Sequence, residues 1–301
     1  MRVMMSAAGS PASVSILKHL RALGHQVIGL NAAPDAAPLG HAFCDSFHLA
    51  PLATAPEYLP FLCARLAEVD VFLPFIDEEL VAIAQAAERI PADLRKRIAV
   101  SDADVLLECT DKCRFQQACE AAGLPIAPLA QQAPAFFKPR FGRGGKGVIA
   151  ADDERLYAAL TGRDGVLQKS IRGDEFTVDA IFDANGKLLA TSPRRRVRAA
   201  GVSTVGEVVP DAKLHELAAT LGRRWKFRFA INFQAIRDAS GKDWIIELNP
   251  RLAGSAIFST MAGCDPFAAT LALWRGESWH GQARSLHVSR YWQELVHDEP
   301  A

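Results

Sequence analysis

One strand-like segment ends in a set of polar side chains, and it constrains the fold of this chain more than any other feature. The segment is residues 244–251, WIIELNPR. Because alternate residues of a strand share one face, Glu247, Asn249 and Arg251 are expected to point the same way. Ile246 is expected on the opposite, apolar face. A carboxylate, an amide and a permanently charged guanidinium on one face suit a site for magnesium and phosphate.

A second predicted strand stands before this segment. Residues 229–236, FAINFQAI, have strand composition, and residues 238–242, DASGK, are typical of a hairpin loop between the two strands. Antiparallel pairing would place Gln234 beside Glu247. Oxygen ligands from one carboxylate and two amides suit Mg²⁺, which keeps several waters and binds nucleotide phosphates. The alternative is a strand end with ordinary polar residues.

A glycine-rich turn predicts a second binding element. Residues 136–148, FFKPRFGRGGKGV, are expected to form a strand, a turn and a second strand. Glycines such as Gly144 and Gly145 allow positive φ angles and let backbone N–H groups approach phosphate oxygens, while Lys138 would add a positive charge at the base of the turn. The segment is no P-loop, because G-x-x-x-x-G-K-[ST] is absent and the turn returns to a strand. Taken alone, it could equally be a flexible turn.

These two segments, in this order, resemble the ATP-grasp superfamily, and the resemblance covers nearly the whole chain. Residues 110–113, TDKC, followed by residues 122–128, AGLPIAP, are similar to the start of the ATP-grasp unit in that family. Residues 166–179, VLQKSIRGDEFTVD, are similar to its hinge strand, which receives adenine through main-chain hydrogen bonds, and to the G-x-E that follows. The family often has an acid where this chain has Gln168 and Lys169, so the resemblance implies no side-chain contact to adenine there.

The resemblance implies a set of residues for each task. The residues implied to bind the nucleotide are Lys112, Lys138, Gly144, Gly145, Ser170, Ile171 and Glu175. The residues implied to bind two Mg²⁺ or Mn²⁺ ions are Gln234, Glu247 and Asn249, and those implied to act in catalysis are Arg251 and Arg196. Within these sets, Lys112 and Lys138 would contact the phosphates and Glu175 the ribose.

The implied fold class combines α/β and α+β structure. A half-Rossmann domain at residues 1–104 would precede an ATP-grasp domain at residues 105–301, with a lid subdomain at about residues 130–170. This lid is expected to be abridged, because few residues separate Pro128 from the lysine strand. Residues 290–292, RYW, are expected to close the sheet or touch a neighbour.

The N-terminal residues predict the leading domain by their own pattern. Strands are expected at residues 2–6, 26–31 and 69–76, and helices at residues 10–23 and 78–90. A dinucleotide site is disfavoured, because G-x-G-x-x-G is absent. Ser10 and residues 77–79 stand at strand carboxyl ends, where they would either help to hold an acceptor or serve as ordinary helix-start residues.

Four arginines lie close together within residues 192–203 of a chain that is otherwise balanced in charge. Arg194, Arg196 and Arg198 would share one side of a strand, with Arg195 on the other. Guanidinium groups match phosphate and carboxylate geometry, so one or two of them could clamp an anionic substrate. The alternative is a solvated face, and the pattern does not show which arginine points inward.

Composition and charge narrow the function classes. The chain has 301 residues, 50% of them hydrophobic, a formal net charge of +0 and a pI of about 7.1. Such a chain can bury a large core, and zero net charge disfavours broad electrostatic binding to nucleic acid or membranes. A cytoplasmic location is expected, because the sequence shows no targeting pattern and no membrane-spanning apolar run. The six cysteines form no C-x-x-C pair, which disfavours zinc.

The resemblance is strongest to the carbamoyl-phosphate-synthase-like and amino-acid ligase branch, and it implies an ATP-dependent carboxylate–amine ligase. The γ-phosphoryl group of ATP would pass to a carboxylate, and an amine would displace phosphate from the acyl phosphate. The expected partners are a small carboxylic acid or amino acid and an amine acceptor, with no nucleic acid and no membrane, in a monomer or a homodimer. Two alternatives stay open: an ATP-grasp kinase or carboxylase that stops at a phosphorylated acid, and a nucleotide-binding regulatory protein without turnover.

Overall fold

The computed structural model describes residues 1–200, 202–291 and 293–296, with their side chains except those of residues 198–203. Three β-sheets organise these residues. The first sheet is parallel and the other two are antiparallel, so the predicted combination of α/β and α+β structure is confirmed. Trp292 and the Arg198 side chain, which the sequence analysis named, lie outside the described residues.

The leading sheet forms from short apolar strands in the order β3-β2-β1-β4. Its strands are β1 (Arg2–Met5), β2 (Gln26–Asn31), β3 (Ser46–Leu49) and β4 (Val71–Leu73), and its helices are α1 (Val14–Ala22), α2 (Ala37–Phe43), α3 (Tyr58–Leu66), α4 (Asp77–Gln85) and α5 (Ala92–Arg95). Two separate cores bury the apolar runs on the two faces of this sheet, as parallel strands require. This is the predicted half-Rossmann arrangement.

Helix α1 begins at Val14, whereas the sequence pattern placed its start at Ser10. Residues 10–13 form a turn instead, in which the Ser13 N–H donates to the Ser10 carbonyl at 2.9 Å. Gly9, with a φ of 79°, lies so close to the Ala36 carbonyl that no Cβ would fit. The turn therefore lies at the carboxyl end of the sheet, where ligands of open α/β sheets bind.

The small sheet, in the order β6-β5-β7, carries the glycine-rich turn. It consists of β5 (Ala135–Pro139), β6 (Ile149–Ala151) and β7 (Gly165–Lys169), with α8 (Glu154–Leu160) packed against it. Helices α6 (Ala103–Thr110) and α7 (Lys112–Ala121) precede it. Asp111 caps the start of α7 and accepts a hydrogen bond from Arg140 at 2.7 Å, beside the turn. The domain boundary proposed at residues 104/105 falls inside α6 and stays a proposal.

The large sheet has the strand order β12-β11-β8-β9-β10-β13. Its strands are β8 (Asp174–Phe182), β9 (Leu188–Ala200), β10 (Val202–Val208), β11 (Phe229–Arg237), β12 (Asp243–Asn249) and β13 (Leu286–Ser289). Helices α7 and α9 (Ala212–Trp225) share one core with this sheet, and α10 (Ile257–Met261) and α11 (Pro266–Trp274) share another. The second core also contains Val3, Leu17 and Phe75, so the leading layer and the large sheet are packed together.

A buried ion pair ties α10 to the large sheet. Arg194 on β9 and Asp179 on β8 are almost fully buried, and Arg194 Nη2 donates to Asp179 Oδ1 at 2.7 Å. The Ser259 hydroxyl of α10 donates to the other carboxylate oxygen at 2.6 Å, and Arg194 Nη1 donates to Ser255 at 2.5 Å. Such added hydrogen bonds offset the lost hydration of a buried pair. The pair therefore fixes the backbone that follows β12.

A buried carboxyl group, Glu79, connects the ends of two leading strands to α4. The Ser6 hydroxyl donates a hydrogen bond to Glu79, and the Phe75 N–H donates to the Ser6 hydroxyl at 2.8 Å. Glu79 is only 3% exposed, and burial raises the pKa of its carboxyl group to about 7.

Glu79→Gln is expected to raise stability above neutral pH. Because the folded-state pKa of Glu79 is raised, the stability linked to its protonated form is complete below about pH 4.5 and is lost as the pH rises through about 7. Glutamine still accepts the Ser6 hydrogen bond and has no charge to bury. Chemical unfolding should show a gain of up to about 3 kcal/mol near pH 8 and little gain near pH 5.

The matched control is Glu57→Gln on the surface, which is expected to change the free energy of unfolding at neither pH. An equal shift at both pH values in Glu79→Gln would contradict a titrating buried carboxyl group.

Candidate functional site

A cavity of about 600 Å³ lies where the three sheets meet. The lining residues from the leading domain include Ser10, Ser13, Ile16 and Phe75. Those from the small sheet and its surroundings include Lys112, Lys138, Gly142, Arg143, Gly144, Gly145, Lys146, Gln168, Lys169 and Ile171. Those from the large sheet include Glu175, Thr177, Arg196, Asn232, Gln234, Ile246, Glu247, Asn249 and Arg251. Every residue that the sequence analysis assigned to nucleotide, metal or catalysis lines this cavity, with the exception of Ser170.

The pairing of β11 with β12 places Gln234 directly opposite Glu247, as the sequence predicted. The register shifts at the next step, because Ala235 pairs with Ile245 and Ile246 is left as an extra residue. Such a β-bulge changes the direction of a side chain. The expectation that Ile246 faces away from the polar residues is therefore wrong, and Ile246 lines the cavity beside Glu247.

The carbonyl of the bulged residue binds the lysine of the small sheet. Lys138 Nζ donates to the Ile246 carbonyl at 2.7 Å. Withdrawal from bulk water lowers the pKa of Lys138 to about 8, although the negative charge of Glu247 acts in the opposite direction. The lysine is thus fixed at the junction of the small and large sheets.

Glu247 is the strongest candidate for a cation ligand in this cavity. Its side chain keeps 19% exposure, and its ion pair with Lys112 is long, at 3.9 Å. Gln234 lies opposite, and Asn249 is oriented by a hydrogen bond from its Nδ2 to Asn232 Oδ1 at 3.2 Å. One carboxylate and neighbouring amide oxygens fit Mg²⁺ or Mn²⁺, which complete their shell with water and phosphate oxygens.

The glycine-rich turn adopts a conformation that side chains would oppose. Gly144 and Gly145 have φ angles of 64° and 75°, yet an added Cβ would meet no neighbour at either position. Glycine is therefore needed for backbone conformation and not for space. Lys112 Nζ donates to the Gly142 carbonyl at 2.7 Å, which fixes the start of the turn near Glu247.

Two ion pairs join the leading domain to the rest of the cavity wall. Arg251 donates to Asp77, and Arg143 of the glycine-rich turn donates to Glu78. Both acids are in the first turn of α4. These acids, which the sequence analysis considered for the acceptor, therefore contact arginines that line the cavity.

Among the described arginine side chains of the β9 run, that of Arg196 lines the cavity. Arg194 is buried in the ion pair described above, and Arg195 donates a hydrogen bond to Glu207 at 2.5 Å. Arg196 Nη1 donates to Glu175 Oε1 at 2.5 Å, and its buried Nε has no hydrogen-bond partner within the described part of the chain. The candidate ribose ligand, Glu175, and the candidate clamp, Arg196, are thus held together by an ion pair.

The hinge segment after β7 presents Lys169 and Ile171 to the cavity. The Lys169 N–H donates to the Pro128 carbonyl at 2.8 Å, and the Ser170 N–H donates to the Pro134 carbonyl at 3.2 Å. These two main-chain donors are already in use. A nucleotide contact through the Ser170 N–H would require this hydrogen bond to break, whereas a contact through its carbonyl oxygen would not.

The sequence analysis missed Asn232 and Thr177, which also line the cavity. Asn232 stands two residues before Gln234 on β11, and Thr177 stands two residues after Glu175 on β8. Strand alternation from the assigned residues could therefore have identified both. Asn232 Nδ2 donates to the Arg251 carbonyl at 2.9 Å, which positions the backbone of that arginine.

Solved structures share this arrangement of sheets. A biotin carboxylase from Campylobacter jejuni in complex with an ATP analogue is 19% identical, with a TM-score of 0.71, over 92% of this chain and 71% of that chain. An L-amino acid ligase from Bacillus licheniformis is 17% identical, with a TM-score of 0.67, over 90% of this chain and 74% of that chain. At these identities, the similarity establishes the fold.

A family model described as an ATP-grasp in the biosynthetic pathway with Ter operon matches residues 162–293. This part of the chain resembles the ATP-grasp superfamily. The chain is also 25% identical to the carbamoyl phosphate synthase large chain of Deinococcus radiodurans, over 87% of its own length and 28% of that relative. It therefore spans little more than a quarter of the curated relative that it matches.

Two further observations concern the described part of the chain. None of its helices is both long and apolar enough to cross a membrane. Within the same residues, no group of three or more His, Cys, Asp or Glu side chains could hold a metal ion.

Lys138→Ala is expected to weaken the binding of ATP with Mg²⁺ about ten- to hundredfold, because a charged hydrogen bond contributes roughly 1.5–3 kcal/mol. The unfolding temperature without nucleotide is expected to change little, because the loss of the hydrogen bond to the Ile246 carbonyl is offset by removal of a charge that burial disfavours. Isothermal titration and scanning calorimetry measure the two quantities.

The control for this change is Lys187→Ala, which removes an exposed lysine between β8 and β9 and should leave nucleotide affinity unchanged. If Lys138→Ala bound ATP as tightly as the unaltered protein, the phosphates would have to lie elsewhere.

Proposed function

We propose that this protein is an ATP-grasp enzyme, an ATP-dependent carboxylate–amine ligase that forms an amide through an acyl phosphate. The arrangement of charge in the cavity carries the proposal, because Glu247, Gln234 and Asn249 line the same space as Lys138 and Lys112. A magnesium-bound triphosphate requires this combination of oxygen ligands for the ion and charged donors for the phosphates. Two Mg²⁺ or Mn²⁺ ions would be held by the carboxylate and the two amides.

Phosphoryl transfer depends on positioned charge and needs no nucleophilic side chain. Bound Mg²⁺ would neutralise phosphate charge, Lys138 and Lys112 would hold the phosphates, and Arg251, oriented by Asp77, would stabilise the transferring group. A substrate carboxylate oxygen bonds to the γ-phosphorus as the bond to the ADP oxygen breaks. An amine nitrogen then bonds to the carbonyl carbon and loses a proton, and phosphate leaves.

The leading domain supports the assignment of a small carboxylic acid or amino acid as substrate. Ser10 and Ser13 of the turn before α1 offer hydroxyl groups to the cavity, and Ile16 and Phe75 offer apolar surface. Arg196 lines the same cavity and could bind a carboxylate through two donors. A cavity of about 600 Å³ that also holds a nucleotide leaves room only for small substrates.

The relatives support nucleotide-dependent chemistry but differ in what they make. Similarity to the L-amino acid ligase supports amide formation. Similarity to the biotin carboxylase supports the alternative of a carboxylase or kinase that stops at a phosphorylated acid. A regulatory protein without turnover is less well supported, because Lys138, Glu247 and Arg251 are all present at the cavity. We also propose that the protein is cytoplasmic and that its partners are small molecules.

Phosphate release from purified protein with Mg-ATP tests the proposal against pools of amino acids, small carboxylic acids, amines and bicarbonate. We expect release that requires a carboxylate and an amine together, with ADP and an amide identified by mass spectrometry. A phosphorylated or carboxylated acid formed without an amine would instead establish the alternative. Tight ATP binding without turnover in every pool would favour a regulatory protein.

Matched variants show whether the activity belongs to this cavity. Glu247→Ala should abolish phosphate release without unfolding the protein. Arg196→Ala should lower turnover at least about tenfold, and by more than it lowers stability, because its charge faces the reacting groups. Arg195→Ala, on the opposite face of the same strand, should leave the kinetics unchanged. Equal effects of the two arginine variants would contradict a catalytic role for Arg196.

A further inference from the structure

The leading domain contributes an apolar wall to the cavity. We call this wall the acyl cup, and it consists of Met5, Ala7, Ala12, Ile16 and Phe75. Met5 and Ile16 are almost fully buried and Phe75 is 7% exposed, although all three line the cavity. A ligand group that packs against them is therefore largely withdrawn from water.

Among the described residues, the leading domain adds no charged side chain to the cavity lining, and its polar lining residues are Ser10 and Ser13. The Ser13 hydroxyl is already used, because it donates to the Ser10 carbonyl at 2.7 Å. A charged group placed in the acyl cup would lose its hydration and gain no counter-ion from this wall. Burial of an unpaired charge is costly, so the cup disfavours such a group.

The core behind the acyl cup fixes its shape. The Phe75 ring stacks on Phe267 of α11 with ring centroids 6.4 Å apart, and the Phe75 N–H donates to the Ser6 hydroxyl at 2.8 Å. Met5 and Ile16 belong to the same core. Because protein interiors are closely packed, this wall cannot readily rearrange to bring a counter-ion to a charged ligand.

Arg251 connects the acyl cup to the reacting groups. It donates to Asp77, which stands two residues after Phe75, and it also interacts with the charge of Glu247, the candidate cation ligand. A substrate whose carboxylate lies beside Arg251 and the cation would therefore have its side chain near the leading domain. The polar side of the cavity would hold the reacting end, and the acyl cup would hold the rest of the acid.

We infer that the acid substrate carries a small apolar side chain, which packs in the acyl cup, and that acids with a charged side chain are excluded. This inference rests on the ligase function proposed above and specifies its substrate class. Each methylene group that enters an apolar pocket favours binding, whereas a charged group of the same shape is rejected because it loses its water.

The test measures kcat/KM with Mg-ATP and hydroxylamine, which displaces phosphate from an acyl phosphate to give a hydroxamate and so replaces the unidentified amine. Two pairs of acids are compared: 4-methylpentanoate with succinate, and leucine with aspartate. In each pair a carboxylate takes the place of an isopropyl group of similar shape. Unaltered protein should favour the apolar member of each pair by at least about a hundredfold.

Variants of Ala12 test whether the acyl cup causes this preference. Ala12 is only partly buried, so larger side chains are expected to be tolerated, and thermal unfolding checks that they are. Ala12→Leu should narrow the cup and raise the preference for butanoate over 4-methylpentanoate about tenfold. Ala12→Lys should supply a counter-ion and raise the use of succinate relative to 4-methylpentanoate at least about tenfold.

The matched controls are Ala22→Leu and Ala22→Lys at the exposed end of α1, which should leave both ratios unchanged. Equal use of the charged and apolar members by the unaltered protein would overturn the inferred substrate class but not the ligase function. Unchanged ratios in both Ala12 variants, with turnover retained, would overturn the role of the acyl cup. The absence of a hydroxamate with every acid, and of phosphate release in every substrate pool, would overturn the proposed function and this inference together.

Discussion

The pairing of β11 with β12 is the constraint on which the cavity depends. The register places Gln234 opposite Glu247 and leaves Ile246 as an extra residue. One hairpin therefore presents candidate cation ligands, an apolar wall and a carbonyl group for Lys138. Since that lysine belongs to the small sheet, its hydrogen bond also sets the approach of the small sheet to the large one. A slip of one residue would turn Glu247 toward the core and remove these contacts together.

Ion pairs within the protein hold two arginine side chains of the cavity in place. Arg251 is bound by Asp77 of the leading domain, and Arg196 is bound by Glu175 of the large sheet. Because side chains that are already ordered lose little freedom when they bind, these pairs reduce the entropic cost of holding phosphate. The leading domain is thus part of the proposed nucleotide site, and the core that it shares with the large sheet fixes its position.

Local sequence patterns were sufficient to predict much of the arrangement of the candidate site. Strand alternation and hairpin composition predicted the meeting of Gln234 and Glu247, and the glycine-rich turn located Lys138 beside them. Alternation could not reveal the bulge at Ile246, because it assumes an uninterrupted ladder. The inward arginine, Arg196, became recognisable only when neighbouring strands showed what each arginine contacts. The hydrogen bond from Gln168 to Gln116 joins segments far apart in sequence, so no local pattern predicts it.

A crystal structure with Mn²⁺ and a non-hydrolysable ATP analogue tests the central claim most directly, because anomalous scattering locates the ions independently of the rest of the map. The account predicts triphosphate beside Lys138 and Mn²⁺ within about 2.3 Å of oxygen atoms of Glu247 and at least one of the neighbouring amides, Gln234 and Asn249. Nucleotide bound outside the cavity, or ions with no ligand from Glu247, would contradict it.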